Sequence, residues 1–305
     1  MKKTKGIHHI TAIVGDPREN LHFYETVLGL RLVKQTVNFD DPGTYHLYFG
    51  NETADPGTII TFFPWPGARK GRRGGGQVGT TVYAVPEGSL SYWEERLKAF
   101  GISSDYTERF GERYLGFQDV HRLHLELTEK KLPQRSQDAS VGILGFSGAV
   151  LLSVAPEKTM RALSETMGYE KGEEDEIYVR FRSEADLGNI IDVDKRSYER
   201  GEFSVGTVHH IAFRAQDDED HLSWQSHVAD KGHYVTEVKD RNYFNAIYFR
   251  EGGGILFEIA TDTPGFSVDE PLSSLGETLK LPVQYEKRRE ELTKHLIPLR
   301  EKVTK

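Results

Sequence analysis

Alternation of apolar and polar residues returns four times along the chain in the same order. The segment Gly6 to Val33 (GIHHITAIVGDPRENLHFYETVLGLRLV) has a counterpart in Thr207 to Val235 (TVHHIAFRAQDDEDHLSWQSHVADKGHYV). Each begins with a β-rich run, passes acidic or Pro residues that can open a helix, and ends its helical stretch at a Gly, where a C-terminal cap belongs. Two further copies open at Val78 to Val85 and at Phe146 to Ala155, with helices through Leu90 to Phe100 and from Pro156 to Met167, each stopped by Gly101 or Gly168. The copies close on strands beside a Gly: Gly57 to Phe63, Arg122 to Thr128, Gly188 to Asp194 and Gly253 to Ala260. The repeating unit is βαβββ.

A unit with one helix and four short strands cannot cover both faces of its sheet, so modules pair to bury it. The fold class read from this is α+β, four modules paired into two half-barrel cups. Modules one and two give an N-terminal domain over 1–135, modules three and four a C-terminal domain over 141–265, and 266–305 a tail with a helix. Pro133 to Ser140 reads as the linker between halves, and the stretch Gly67 to Gly76 as a solvated, flexible connector. Its three consecutive glycines lack the strand-to-helix setting and the Lys-Ser/Thr ending of a phosphate loop. Leu292, Leu296 and Leu299 share one side of a helical stretch over Glu286 to Arg300, suited to packing on the protein's own surface.

Composition narrows the chemistry. A net charge of -8 without a long basic stripe argues against a nucleic-acid surface. The chain has no cysteine, so any metal must sit on His and carboxylate ligands. No signal-peptide core follows the charged N-terminus and no apolar run reaches eighteen residues, so a cytoplasmic protein without membrane contact is expected.

Aligning the modules on their helix-opening residues shows where such ligands can gather. Opposite His9 and His210 stand Gly79 in module two and Gly148 in module three. On the closing strands, Glu258 corresponds to Thr61, Glu126 and Asp192 of modules one, two and three. If modules one and four face each other, His9, His210 and Glu258 converge, and Thr61 marks a corner without a fourth ligand. Two His and one carboxylate leave adjacent coordination positions free, the usual arrangement of non-haem iron(II) oxygenases. Glu258 lies in the apolar run ILFEIA, where an ionised carboxylate costs several kcal/mol unless it is paired or metal-bound. Glu126, in LHLELT, is assigned to alternating exposure on a sheet edge, and the cup of modules two and three is expected to be structural and metal-free. Strand neighbours point to opposite faces, so only one His of each pair should be a direct ligand; the pattern leaves open which one.

The residues IHHIT at Ile7 to Thr11, YHLYF at Tyr45 to Phe49, RFGERYLGFQD at Arg109 to Asp119, VHHIAF at Val208 to Phe213 and DRNYFNAIYFREGGGILFEIATDTPGF at Asp240 to Phe266, with LPVQYEKRREEL near the end, span nearly the whole chain. Together they resemble the hydroquinone-cleaving extradiol dioxygenases and quinone-inducible ring-cleaving dioxygenases of bacteria. These belong to the vicinal-oxygen-chelate superfamily, which also holds glyoxalases and bleomycin-resistance proteins. The resemblance implies that the second His of each pair is the ligand, giving His9, His210 and Glu258 for Fe(II), with Mn(II) as a second option. It implies active-site roles for His8, His209, Arg241 and Tyr248, and substrate contact by Thr11, Arg241 and Tyr248. Thr11, two residues beyond His9, shares its face. His8 and His209 break strict alternation, so they need a bulge or a contact behind the ligands; either could accept a phenolic proton.

The activity implied is Fe(II)-dependent extradiol-type cleavage of hydroquinones or related phenols by dioxygen, in the degradation or detoxification of aromatics and quinones. Its partners are a small aromatic substrate and dioxygen. The competing readings are a glyoxalase-type lyase or isomerase, whose second carboxylate would fall at Thr61, and a non-catalytic ligand-sequestering module. Catechols are the nearest rival substrates, and the oligomeric state is left open.

Overall fold

The computed structural model describes residues 2–131 and 141–300. The expected linker, 133–140, lies outside these residues. Module one consists of β1 (Ile7–Val14), α1 (Pro17–His22), β2 (Arg31–Val37), β3 (Tyr45–Gly50) and β4 (Ile59–Pro64). Module two holds β5 (Gln77–Pro86), α2 (Leu90–Ala99), β6 (Ser104–Arg109), β7 (Glu112–Gln118) and β8 (His124–Lys130). Module three holds β9 (Gly145–Ser153), α3 (Pro156–Arg161), β10 (Glu170–Glu174), β11 (Tyr178–Arg182) and β12 (Ile190–Ser197). Module four holds β13 (Thr207–Ala215), α4 (Asp218–Asp230), β14 (Lys239–Asp240), β15 (Phe244–Arg250) and β16 (Leu256–Pro264). All four are βαβββ.

The helices begin and end for the reasons legible in the chain. Asp16 and Asp217 cap α1 and α4 through side chains that accept from the backbone N–H of Arg18 and Asp220. Gly29, Gly101, Gly168 and Gly232 follow the four helical stretches with positive φ, the left-handed stop that a Cβ would strain. In modules one and three a π-helical turn (Phe23–Val27 and Ala162–Thr166) extends the short helix before that stop.

Two curled eight-stranded sheets result, with the order β14-β15-β16-β13-β1-β4-β3-β2 in one and β10-β11-β12-β9-β5-β8-β7-β6 in the other. This is the vicinal-oxygen-chelate fold. Module four joins module one through the antiparallel pair β13 and β1, and module three joins module two through β9 and β5. Each sheet therefore draws one module from either half of the chain, and the chain-order division between 135 and 141 runs across both sheets. Ile10, Ala12 and Val14 of β1 enter the main hydrophobic core with Leu21, Tyr24 and Val27, while His9 and Thr11 face the hollow of the cup.

Register corrects one equivalence. Between β1 and β13 the pairing slips between Ile7 and His9; between β5 and β9 it slips between Val78 and Thr80. The bulged residues are thus His8 and Gly79, and the module-two counterpart of His9 is Thr80, not Gly79. Helix-based alignment missed this because α2 starts later relative to its strand, after the turn from Pro86 to Ser89.

The connector at 67–76 is also not the loose loop expected. Its backbone bridges the segment between modules three and four at Lys70 with Val205, Arg72 with Glu202 and Gly75 with Arg200. A Cβ on Gly71 would lie 2.7 Å from the carbonyl oxygen of Glu202, so the glycines serve close backbone approach.

The tail returns to module one. Lys34 of β2, fully buried, pairs with Asp269 and Glu270, and Leu292 and Leu296 are buried around α5 (Arg289–Thr293). Tyr285 donates its hydroxyl to the carbonyl of Phe39 at 2.9 Å. Among the described residues no helix is long and apolar enough to cross a membrane.

Candidate metal centre

His9 from β1, His210 from β13 and Glu258 from β16 meet in the cup of modules one and four, buried to 1%, 5% and 0% exposure. Their ligand atoms all lie within 4.8 Å of one another. Nε2 of His9 is 3.3 Å from Nε2 of His210, and Oε2 of Glu258 is 2.8 Å from the latter and 3.5 Å from the former. Despite that closeness, neither carboxylate oxygen of Glu258 accepts a well-directed hydrogen bond. Burial alone would raise this carboxyl's pKa; the two facing imidazoles reverse the shift and hold it well below the usual range. An ionised, undirected carboxylate at the bottom of a cup is costly without a cation.

The bulges supply the proton arrangement that a metal needs. Nε2 of His8 meets the carbonyl of Thr261 at 3.1 Å, and a carbonyl only accepts, so this nitrogen carries the proton. Nδ1 of neutral His8 then accepts from Nδ1 of His9 at 2.9 Å, which leaves Nε2 of His9 with a lone pair facing His210 and Glu258. Burial holds His8 neutral. His209 mirrors the pairing, with its Nδ1 2.8 Å from Nδ1 of His210. A ligand role for Nε2 of His210 places the proton on its Nδ1, so Nδ1 of His209 accepts and its Nε2 carries the hydrogen. Such orienting partners behind ligating imidazoles fix their tautomer. The residues present therefore fit a divalent metal on three protein ligands.

The fourth corner is filled by neutral groups. Thr61 Oγ1 is 2.8 Å from both Thr11 Oγ1 and Nε2 of His46, whose Nδ1 bonds the Tyr48 hydroxyl, also at 2.8 Å. His46 was not among the expected site residues. Its place on the cup-facing side of β3, in YHLYF, is the signal that could have found it.

A cavity of about 350 Å³ opens over the triad. Phe39, Phe63, Trp65, Phe244 and Tyr248 give it aromatic walls, and Asp40, His46, His209 and Arg241 give it polar ones. Arg241 donates through Nε to the hydroxyl of Tyr248 at 3.2 Å and through Nη2 to Asp40 at 3.0 Å. Burial pushes the Tyr248 phenol up, so it stays protonated, and with its oxygen accepting from Arg241 its own hydrogen is free to point into the cavity. Burial, ahead of its neighbours' charges, lowers His209 to about 3. Of the expected residues, His9, His210, Glu258, His209, Arg241 and Tyr248 line this cavity. His8 and Thr11 do not; they stand behind His9 and beside Thr61.

The other cup answers the same positions with guanidinium groups. Arg109 spans Glu126, at 3.0 and 2.5 Å, and Asp192, at 3.2 Å; Arg180 grips Asp192 at 2.7 and 2.8 Å. Glu126 thus owes its place to an ion pair on β8, an interior strand, and not to edge exposure. A larger cavity of about 800 Å³ lies along β6 to β8, but among the described residues the only metal-ligating cluster is the triad.

Comparison with known proteins gives the family. The model of the Glyoxalase/Bleomycin resistance protein/Dioxygenase superfamily matches residues 6–259. The chain is 57% identical over 303 residues to "Putative ring-cleaving dioxygenase MhqO" of Bacillus subtilis (strain 168), covering 97% of each. It is 32% identical to the chlorohydroquinone/hydroquinone 1,2-dioxygenase of Sphingobium indicum, covering 95% of each. The crystal structure of a "putative dioxygenase" from Bacillus subtilis superposes with a TM-score of 0.94 at 56% identity, over 99% of this chain and 100% of that one.

Proposed function

The chain belongs to the glyoxalase/bleomycin resistance protein/dioxygenase superfamily, and on that premise we propose that it is an Fe(II)-dependent dioxygenase opening the ring of hydroquinones or related phenols. The observation that carries this reading is the triad of His9, His210 and Glu258 beneath an aromatic cavity, with the corner of a fourth ligand closed by Thr61 and His46. Iron(II) held there would supply adjacent open positions for a phenolate and dioxygen, together with one-electron chemistry. The name of the Sphingobium relative supports hydroquinones as the substrate class.

The chain's own groups divide the remaining work. Phe39, Phe63, Trp65 and Phe244 exclude water and pack a substituted ring, for which about 350 Å³ suffices. The hydroxyl of Tyr248, the guanidinium of Arg241 and Nε2–H of His209 are three donors facing one space, suited to hold a phenolate and charge that develops on oxygen. In this reading His209 acts as a donor. His8 has both ring nitrogens engaged away from the cavity, so its part is to position His9. Thr11 acts through Thr61, not by substrate contact.

Anaerobic reconstitution with Fe(II), followed by dioxygen uptake across hydroquinones and catechols, tests the reading. Stoichiometric uptake with a hydroquinone supports it. Conversion without uptake favours a lyase, and tight binding without conversion favours sequestration.

A further inference from the structure

We propose that Asp40 is a charge filter at the cavity mouth: by pairing with Arg241 it excludes ring substrates that carry a carboxylate and favours those with uncharged substituents. This rests on the substrate reading above. Among the described residues Arg241 is the sole Arg or Lys lining the cavity, and Asp40 and Glu258 are its two carboxylates. The guanidinium is largely buried, its side chain 15% exposed, whereas the Asp40 side chain is 75% exposed. An ion pair whose carboxylate is this exposed adds little to stability, so its conspicuous effect is electrostatic.

Asp40 is nonetheless held in place. Its backbone N–H donates to the side chain of Asn38 at 2.9 Å, Tyr285 of the tail clasps the neighbouring carbonyl of Phe39, and Arg241 lies 5.8 Å from the Phe39 ring. The loop between β2 and β3 is therefore anchored through its backbone, and Arg241 holds the Asp40 carboxylate at the entrance.

Counting charges shows the consequence. A divalent cation with Glu258 leaves one net positive charge at the base, and Asp40 with Arg241 cancel. One phenolate satisfies the cavity. A ring carboxylate would meet Asp40 as a like charge and find the Nη2 side of the guanidinium already paired with it, leaving Nη1 for a phenolate. Without Asp40, Arg241 would offer unpaired donors in the geometry that binds carboxylates.

The test is calorimetric titration of Fe(II)-loaded protein under nitrogen, so that no turnover occurs, with methylhydroquinone and with the dihydroxybenzoate that carries a carboxylate in place of the methyl. Wild type is expected to prefer methylhydroquinone. Asp40→Asn should narrow that preference by about tenfold or more, through tighter binding of the benzoate. Equal shifts for both probes would mean that Asp40 only shapes the loop, and equal affinities in wild type would remove the filter; either overturns the proposal. Failure of both probes to bind either protein overturns the substrate reading itself, and the filter with it.

Discussion

Thr61 occupies in β4 the place that Glu258 occupies in β16. Thr61 pairs with Thr11 in the parallel ladder of β1 and β4, Glu258 pairs with Ala212 in that of β13 and β16, and Thr11 and Ala212 each lie two residues past a cup-facing His. Two substitutions separate the roles of these equivalent positions. Glu258→Gln should reduce bound iron to below about a tenth of wild type, because a neutral amide replaces an ionised ligand. Thr61→Val should keep the metal and destabilise the fold by about 1–2 kcal/mol, since Nε2 of His46 loses its partner. Metal analysis and urea unfolding check both; iron lost from the Thr61→Val protein would contradict the assignment.

His8 acts on the metal only through His9. Replacing it by Phe removes the acceptor for Nδ1–H of His9 and should weaken iron binding about 10- to 100-fold. His8→Gln, whose amide oxygen can accept, should recover part of that loss. Competition with a chelator measures both, and equal affinity in the two variants would deny the orienting hydrogen bond.

Asp192 in the second cup neutralises Arg180 and shares Arg109 with Glu126. Asp192→Asn removes the two-point partner of Arg180, which keeps Glu112, and one of the two partners of Arg109, which keeps Glu126, and should cost about 1–3 kcal/mol. Iron binding in the first cup should be unchanged. Urea unfolding beside metal analysis tests this; an unaffected midpoint would show that the network is dispensable.

Asp119 predicts a pH dependence. Burial pushes its carboxyl up to about 6, although N–H groups of Leu123 and His121 and the phenol of Tyr24 pull the other way. Between about pH 4 and 6 the folded chain keeps a proton that the unfolded chain has released. The group's stabilising contribution is therefore present below the unfolded value and lost as pH rises through about 6. Stability of wild type relative to Asp119→Asn should fall by about 2 kcal/mol from about pH 4 to pH 7. A relative stability that rises with pH would reverse the sign and refute the burial argument.

The modules, their helix stops and the triad were legible because each rests on local pattern: alternation, Gly after a helix, and a carboxylate inside ILFEIA. What the pattern concealed depends on register and long-range contact. A one-residue bulge at Gly79 shifted the alignment of module two to Thr80, and the bulge at His8 is what lets consecutive imidazoles touch. Arg109 reaches Glu126 from β6 across β7 and Asp192 from another module, and neither contact shows in the pattern around Glu126. Glycines at 67–76 read as looseness, yet they admit a second backbone. His46 was hidden by its neighbours, since YHLYF reads as an ordinary buried strand.

Labelled dioxygen tests the central claim most directly. Fe(II)-loaded protein given a hydroquinone under isotopically labelled dioxygen should yield a ring-opened product carrying both atoms of one dioxygen molecule, after correction for exchange with water. Ring-opened or isomerised product with no label, formed at the same rate without dioxygen, would contradict the dioxygenase account.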